Sequence, residues 1–129
     1  MTVADSSAFI AILLQEPDAD RFAQALTEPA TISAATLVEL AAVCLRRGGV
    51  ALLDQMQVLI QEASVVVVPL TADMAGTAID CYRRYGRGIG RPACLNFGDC
   101  FSYALAKTLD EPLLYKGDDF ARTDIRSAL

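Results

Sequence analysis

Four consecutive valines, Val65-Val66-Val67-Val68, closed by Pro69, constrain the fold of this chain more than any other segment. An uninterrupted β-branched run is the pattern of a strand buried on both faces, as in a parallel sheet covered by helices on each side. The flanking segments supply those helices. Ser6-Ser7 can cap a helix through Ala8, Phe9, Ile12, Leu13 and Leu14 to about Gln15. Pro17 starts a second, with Phe22, Ala25 and Leu26 on its inner stripe, and Pro29 stops it. Ala34 to about Arg47 carries Leu37, Leu40, Ala41 and Cys44 on one face. Gly48-Gly49 breaks that pattern, and Leu52 to Ile60 continues as a further helix ending near Ala63. Thr71 opens a helix with Met74, Ala78 and Ile79 facing inward, and Asn96 to Leu109 is the last. Further strands are expected at Thr2 to Ala4, Thr31 to Ser33 and Pro112 to Tyr115, with an edge-strand candidate near Ile125. Short strands alternating with helices predict one α/β domain over residues 1–129, a three-layer α/β/α arrangement around a mostly parallel central sheet.

Composition narrows the chemistry. With 53% hydrophobic residues in 129, the chain has ample core material, and disorder is excluded. Sixteen acidic against eleven basic residues give a charge of −5, which excludes a protein that coats nucleic acid non-specifically. It does not exclude a nuclease, because cations bound in an acidic cleft reverse its local sign. Cysteines at 44, 81, 94 and 100 form no CxxC pair and there is no His, so zinc is disfavoured; four buried, reduced thiols are expected instead. The lack of His also removes the imidazole acid–base pair of metal-independent ribonucleases. Met1 to Asp5 shows no basic stretch leading into an apolar run, and no apolar segment approaches the roughly 20 residues a membrane span needs. A cytoplasmic protein with no membrane contact is expected.

The acidic residues hold the signal. In an open parallel sheet the active crevice lies beyond the carboxyl ends of the strands. Asp5 ends the first strand, and Asp118 and Asp119 follow the strand ending at Tyr115. Asp99 falls in the first turn of a helix that starts at the same edge. Around that helix Asp99, Ser102, Tyr103 and Ala106 share one side, opposite Phe101, Ala104, Leu105, Thr108 and Leu109. Glu39 lies about one and a half turns into its helix, beside Ala35, Thr36 and Val43 rather than the leucine stripe. A lone carboxylate in such company is costly to bury without a cation or hydrogen-bond donors. Each residue also has an ordinary role open to it. Asp99 can complete a capping box with Asn96, Asp118 and Asp119 can form a turn beside Gly117, Glu39 can be a plain exposed helix residue, and Asp5 can cap the first helix. Spacing alone leaves both readings standing.

Four stretches carry a family likeness. Val3-Ala4-Asp5-Ser6-Ser7-Ala8 resembles the opening of PIN-domain proteins, whose first strand ends in an Asp followed by Ser or Thr. The segment from Ile32 to Leu40 resembles their second motif, with Glu39 at the metal-site Glu. The segment from Leu95 to Ala104 is similar to the third, with Asp99 at the aspartate. Leu113 to Ile125 looks like the closing motif of the VapC toxins. The matches come in the family's order and cover nearly the whole chain. The resemblance implies a PIN-like fold and the toxin of a type II toxin–antitoxin system, an endoribonuclease dependent on Mg²⁺ with Mn²⁺ as a substitute.

An oxygen-only donor set suits those ions better than zinc. On the family pattern Asp5 and Asp99 ligate the principal ion, and Glu39 binds it or a second one, directly or through water. Asp118 or Asp119 completes the site. Asp119 is slightly favoured because it directly precedes Phe120, and one ion or two stays open. Ser7 and Thr36 would hold ligating carboxylates in place, with plain cap and helix roles equally available. The resemblance further implies a VapB-type antitoxin and a homodimer, for which surplus apolar residues in the first two helices and around Leu52 to Ile60 offer surface, or plain core.

RNA must also be held. The Gly-rich loop read from Arg83 to Arg91 carries Arg83, Arg84, Arg87 and Arg91 with Tyr82 and Tyr85 interleaved, and Lys116 sits beside the acidic turn. These residues can contact phosphates while a tyrosine stacks on a base, or can be a solvated surface or a partner's attachment point. Two other classes stand against the nuclease. One is a catalytically silent PIN-like module that binds RNA or protein. The other is a phosphatase with Asp5 as nucleophile, which needs a second Asp where this chain has Ser7.

Overall fold

Parallel pairing in this chain runs β3-β2-β1-β4, with β1 at Thr2–Ala4, β2 at Ala30–Ser33, β3 at Val66–Val68 and β4 at Leu113–Leu114. The structure is a computed structural model and describes residues 1–89 and 92–129. Helices carry every return of the chain. These are α1 (Ser6–Leu13) and α2 (Ala19–Ala25) before β2, α3 (Ala34–Glu62) before β3, then α4 (Ala72–Tyr85) and α5 (Asp99–Leu109) before β4. The two-residue period of the pleat distributes the strands between two cores. Val3 and Leu113 turn toward Met74, Cys81, Tyr103 and Leu105, while Ala4 and Leu114 turn toward Phe9, Ile32, Leu40 and Met56. The three-layer α/β/α architecture expected from the sequence is the one observed.

The valine run behaves differently from its pattern. Only Val65 is buried; Val66 is 57% and Val67 40% exposed, because β3 is an edge strand paired on one side only. β-branched residues satisfy the strand conformation whether or not a layer covers them, so the run reports a strand and not its burial. Ile79, expected inside, is 71% exposed. Helix α4 continues to Tyr85, so Arg83 and Arg84 belong to its last turn and not to a loop. The edge strand sought near Ile125 is reduced to a single bridge between Leu113 and Ser127. Gly49 breaks α3 as the sequence indicates. Its φ of 67° and ψ of −158° suit glycine alone, and the helix resumes beyond this kink. Helix α5 is buried on both of its sides up to Ala106; Thr108 and Leu109 reach solvent. Cys44, Cys81 and Cys100 are buried free thiols, whereas Cys94 is exposed, contrary to the expected burial of all four. Among the described residues no helix is long and apolar enough to cross a membrane.

Candidate active site

Asp5 is placed by the sheet. Its amide donates to the Leu114 carbonyl at 2.9 Å, which extends the β1–β4 ladder to the carboxyl edge and leaves the side chain at the head of α1. There it caps the helix, as the sequence allowed, accepting from the Ser7 amide at 3.1 Å and the Ser7 hydroxyl at 2.7 Å through the same oxygen. Its other oxygen accepts from the Ser102 hydroxyl at 2.6 Å. Ser102 thereby spends its only proton on Asp5, so the Thr36 hydroxyl, 3.3 Å away, is the donor in their contact. Ser7 likewise gives its proton to Asp5 and accepts the Lys116 amide at 3.0 Å. Ser7 and Thr36 were singled out from sequence; Ser102, which touches Asp5 directly, was seen only as a neighbour of Asp99 on one helix side.

Asp99 opens α5. One of its oxygens accepts from the Asn96 amide at 3.0 Å, and its own amide donates to the Asn96 side-chain oxygen at 3.0 Å, the reciprocal box foreseen in the sequence. That structural role coexists with an electrostatic one. Asp99 is 9% exposed, and burial, against the Asn96 hydrogen bond and with the added charges of Asp5, Asp119 and Glu39, pushes its carboxyl up to about 7. Glu39 is raised too, first by burial and then by Asp5, with the Ser6 hydroxyl at 3.1 Å and the charge of Arg46 opposing. Asp5, Glu39 and Asp119 thus each act on Asp99, and Asp5 also acts on Glu39, so charges from the end of β1, α3 and the turn after β4 converge on the head of α5.

Asp119 is the member of its pair that acts on Asp99. Both Asp118 and Asp119 are exposed and line a small pocket of about 170 Å³ with Pro92, Ala93, Cys94 and Arg122. Arg122, the cation of that small pocket, is not among the residues the sequence singles out. Lys116 points elsewhere, its ammonium 2.9 Å from both Glu16 and Asp18. Arg83 pairs with Asp80, and Arg84 donates to the Tyr85 hydroxyl at 2.8 Å and lies 4.8 Å over that ring. Arg87 is exposed, and Arg91 lies outside the described residues.

Among the described residues no three acidic or thiol side chains are grouped closely enough to hold a metal ion between them. Mg²⁺ does not require such a group, since it is typically held by one or two carboxylates with water in the remaining places. An all-oxygen set, with Asp5 and Asp99 buried, Glu39 half-buried and Asp119 exposed at the rim, fits such an ion.

The PIN domain model matches residues 2–126. The chain belongs to the PIN domain family. Among curated proteins it is 44% identical over 129 residues to ribonuclease VapC28 of Mycobacterium tuberculosis, covering 98% of this chain and 97% of that protein. It is 45% identical to ribonuclease VapC of Mycolicibacterium smegmatis, over 95% and 96% of the two chains. Its fold matches the crystal structure of M. tuberculosis VapC20, a sarcin–ricin-loop-cleaving toxin, with a TM-score of 0.79 at 17% identity, covering 97% and 96% of the two chains. A toxin–antitoxin complex from Klebsiella pneumoniae matches with a TM-score of 0.71 at 17% identity, over 96% and 93%. Within the PIN family the chain is a ribonuclease of the VapC toxin type.

Proposed function

We propose that this PIN-domain ribonuclease uses Mg²⁺, with Mn²⁺ able to replace it, held by Asp5 and Asp99 with Glu39 and Asp119 beside them, to hydrolyse RNA phosphodiester bonds. The observation that carries this reading is the convergence of acids at the head of α5, where Asp99 is 9% exposed, the Glu39 carboxylate lies against the adjoining Gly98, and Ser102 of the same helix donates to Asp5 at 2.6 Å. Burial and the neighbouring charges, against the Asn96 hydrogen bond, push the Asp99 carboxyl up. Such a group is under-compensated by the protein and is matched by a divalent cation. A divalent ion in this position supplies a water of lowered pKa and charge compensation for the phosphate. The chain's own residues do the positioning. Ser102 and Ser7 fix both oxygens of Asp5, Thr36 orients Ser102, and the Asn96 box fixes Asp99. Arg122, which lines the same small pocket as Asp119, would serve as a contact for an RNA phosphate.

The protein partners belong to the same proposal: a VapB-type antitoxin and a second copy of the chain. Apolar surface for them lies in a groove of about 550 Å³ between α4 and α5, lined by Ile79, Tyr82, Ile89, Phe97 and Phe101, where Ile79 and Phe97 are 71% and 73% exposed. Incubating the purified chain with total bacterial RNA tests the central claim. New RNA ends are expected with Mg²⁺ and none with EDTA; equal cleavage in both would reject the metal mechanism, and no cleavage in either would favour a silent binding module.

A further inference from the structure

Gly98 immediately precedes Asp99, and its backbone does not explain why it is glycine. Its φ of −64° and ψ of −34° lie in the helical region that any residue adopts. The position is buried, directly before the first residue of α5. Gly49, Gly88 and Gly117 differ, since each has a positive φ and nothing within 4 Å of an added Cβ. Conformation accounts for those three. At Gly98 the demand is for room: a Cβ there would overlap the Glu39 carboxylate, meeting Oε2 and Cδ, with Oε1 at 2.8 Å.

The Glu39 carboxylate is thus seated against the bare Cα of Gly98 on one side, while its Oε1 accepts the Ser6 hydroxyl at 3.1 Å on the other. We infer that Gly98 is a positioning residue, whose missing side chain forms the seat that brings the Glu39 carboxylate to the head of α5 beside Asp99. The inference rests on the metal-site reading above. The three nearest atoms that an alanine methyl here would meet all belong to the free end of the flexible Glu39 side chain. The fold absorbs the methyl by swinging Glu39 out of its seat, so the site suffers and stability does not.

Mn²⁺ binding by calorimetry, with melting in EDTA alongside, tests this on the full chain, Gly98→Ala, Glu39→Ala and the double variant. Gly98→Ala is expected to weaken Mn²⁺ binding about tenfold, the lower end for groups that orient a metal ligand, with no fall in melting temperature. Adding it to Glu39→Ala should change nothing further, because no carboxylate is left to displace. Ser6→Ala, which frees Glu39 from the opposite side, should give a smaller loss of the same kind. Unchanged affinity in Gly98→Ala, or an equal loss with and without Glu39, overturns the proposal. A crystal structure of metal-free Gly98→Ala reads the seat without any ion. Glu39 departed from Ser6 supports it, and Glu39 still bonded to Ser6 sinks it. Should the unaltered chain bind no Mn²⁺, the metal-site reading fails, while the crystal structure still decides the seat.

Discussion

Asp5 and Asp99 are both buried, both head helices and both face the same cleft, yet the protein treats them in opposite ways. Asp5 accepts three hydrogen bonds, two from Ser7 and one from Ser102, and neither of its oxygens is left without a donor. Asp99 accepts one, from the Asn96 amide, on a single oxygen. Asp5 is anchored by the chain's own dipoles, whereas at Asp99 burial outweighs the single Asn96 hydrogen bond and three other acids add to it. The difference teaches how a small domain can build a cation site without a preformed cage. One carboxylate is locked as the fixed reference, and the other keeps an unmet demand for positive charge.

Removing that demand should have the largest effect. Asp99→Asn keeps an oxygen to accept the Asn96 amide, so α5 should still start where it does. The variant takes away a negative ligand, and with it the several kcal/mol by which a bound metal stabilises transition-state charge. At about 1.4 kcal/mol per decade, cleavage should fall on the order of a thousandfold. Retained cleavage in the presence of Mg²⁺ would remove Asp99 from the mechanism and dissolve the comparison.

Loosening the anchored partner should cost less. Ser102→Ala frees one oxygen of Asp5 and strands the Thr36 hydroxyl, which is fully buried. Cleavage should drop roughly 10- to 100-fold, as for other groups that orient a metal ligand. The stranded hydroxyl should cost about 1–3 kcal/mol of stability, read by denaturant melts. If Ser102→Ala destabilises the fold but leaves turnover intact, Ser102 is a core hydrogen bond and Asp5 needs no anchor.

How much of this was legible in advance follows from what each residue's role depends on. Asp5, Asp99 and the Asp118–Asp119 pair are placed at one edge by local pattern plus topology, because the carboxyl edge of a parallel sheet collects strand ends and helix starts, whereas the roles of Glu39 and Asp119 came from the family resemblance. The capping box at Asn96 is equally local. Ser102 and Gly98 are not, since their roles exist only once α5 has packed beside β1 and α3. Helical spacing could still have flagged Ser102, three residues after Asp99. The valine run misled about burial because strand propensity is a property of residues, and edge position is a property of the sheet. The arginines differ in a related way: composition shows a basic segment read as a loop, but Arg83 and Arg84 lie in the last turn of α4, where Asp80 and Tyr85 engage them.

The smallest expected effect, and the most specific to Asp99, is on the pH dependence of metal-free stability. The Asp99 carboxyl is raised from 3.8 to about 7 in the folded chain. Between those values the folded chain holds a proton that the unfolded chain has released. Stability should therefore rise as pH falls from about 7 toward 4, the reverse of a salt-bridged carboxylate. Glu39, also raised, acts in the same direction. Asp18, held low by Lys116, and Asp124, held low by Lys107 and Tyr103 against its burial, lose their stabilisation only below the ordinary carboxylate range, outside this window. In EDTA the unaltered chain should melt about 5 °C higher at pH 5.5 than at pH 7.5, the shift expected for roughly 1–2 kcal/mol. Asp99→Asn should lose most of that slope, and Mg²⁺ should raise the melting temperature at pH 7.5 more than at pH 5.5, because there the proton competes for the same carboxylate. An unaltered chain whose stability falls on acidification from 7.5 to 5.5, or an Asp99→Asn chain with the full slope, would show that Asp99 is as well compensated as Asp5 and that the asymmetry between them is not what draws the cation.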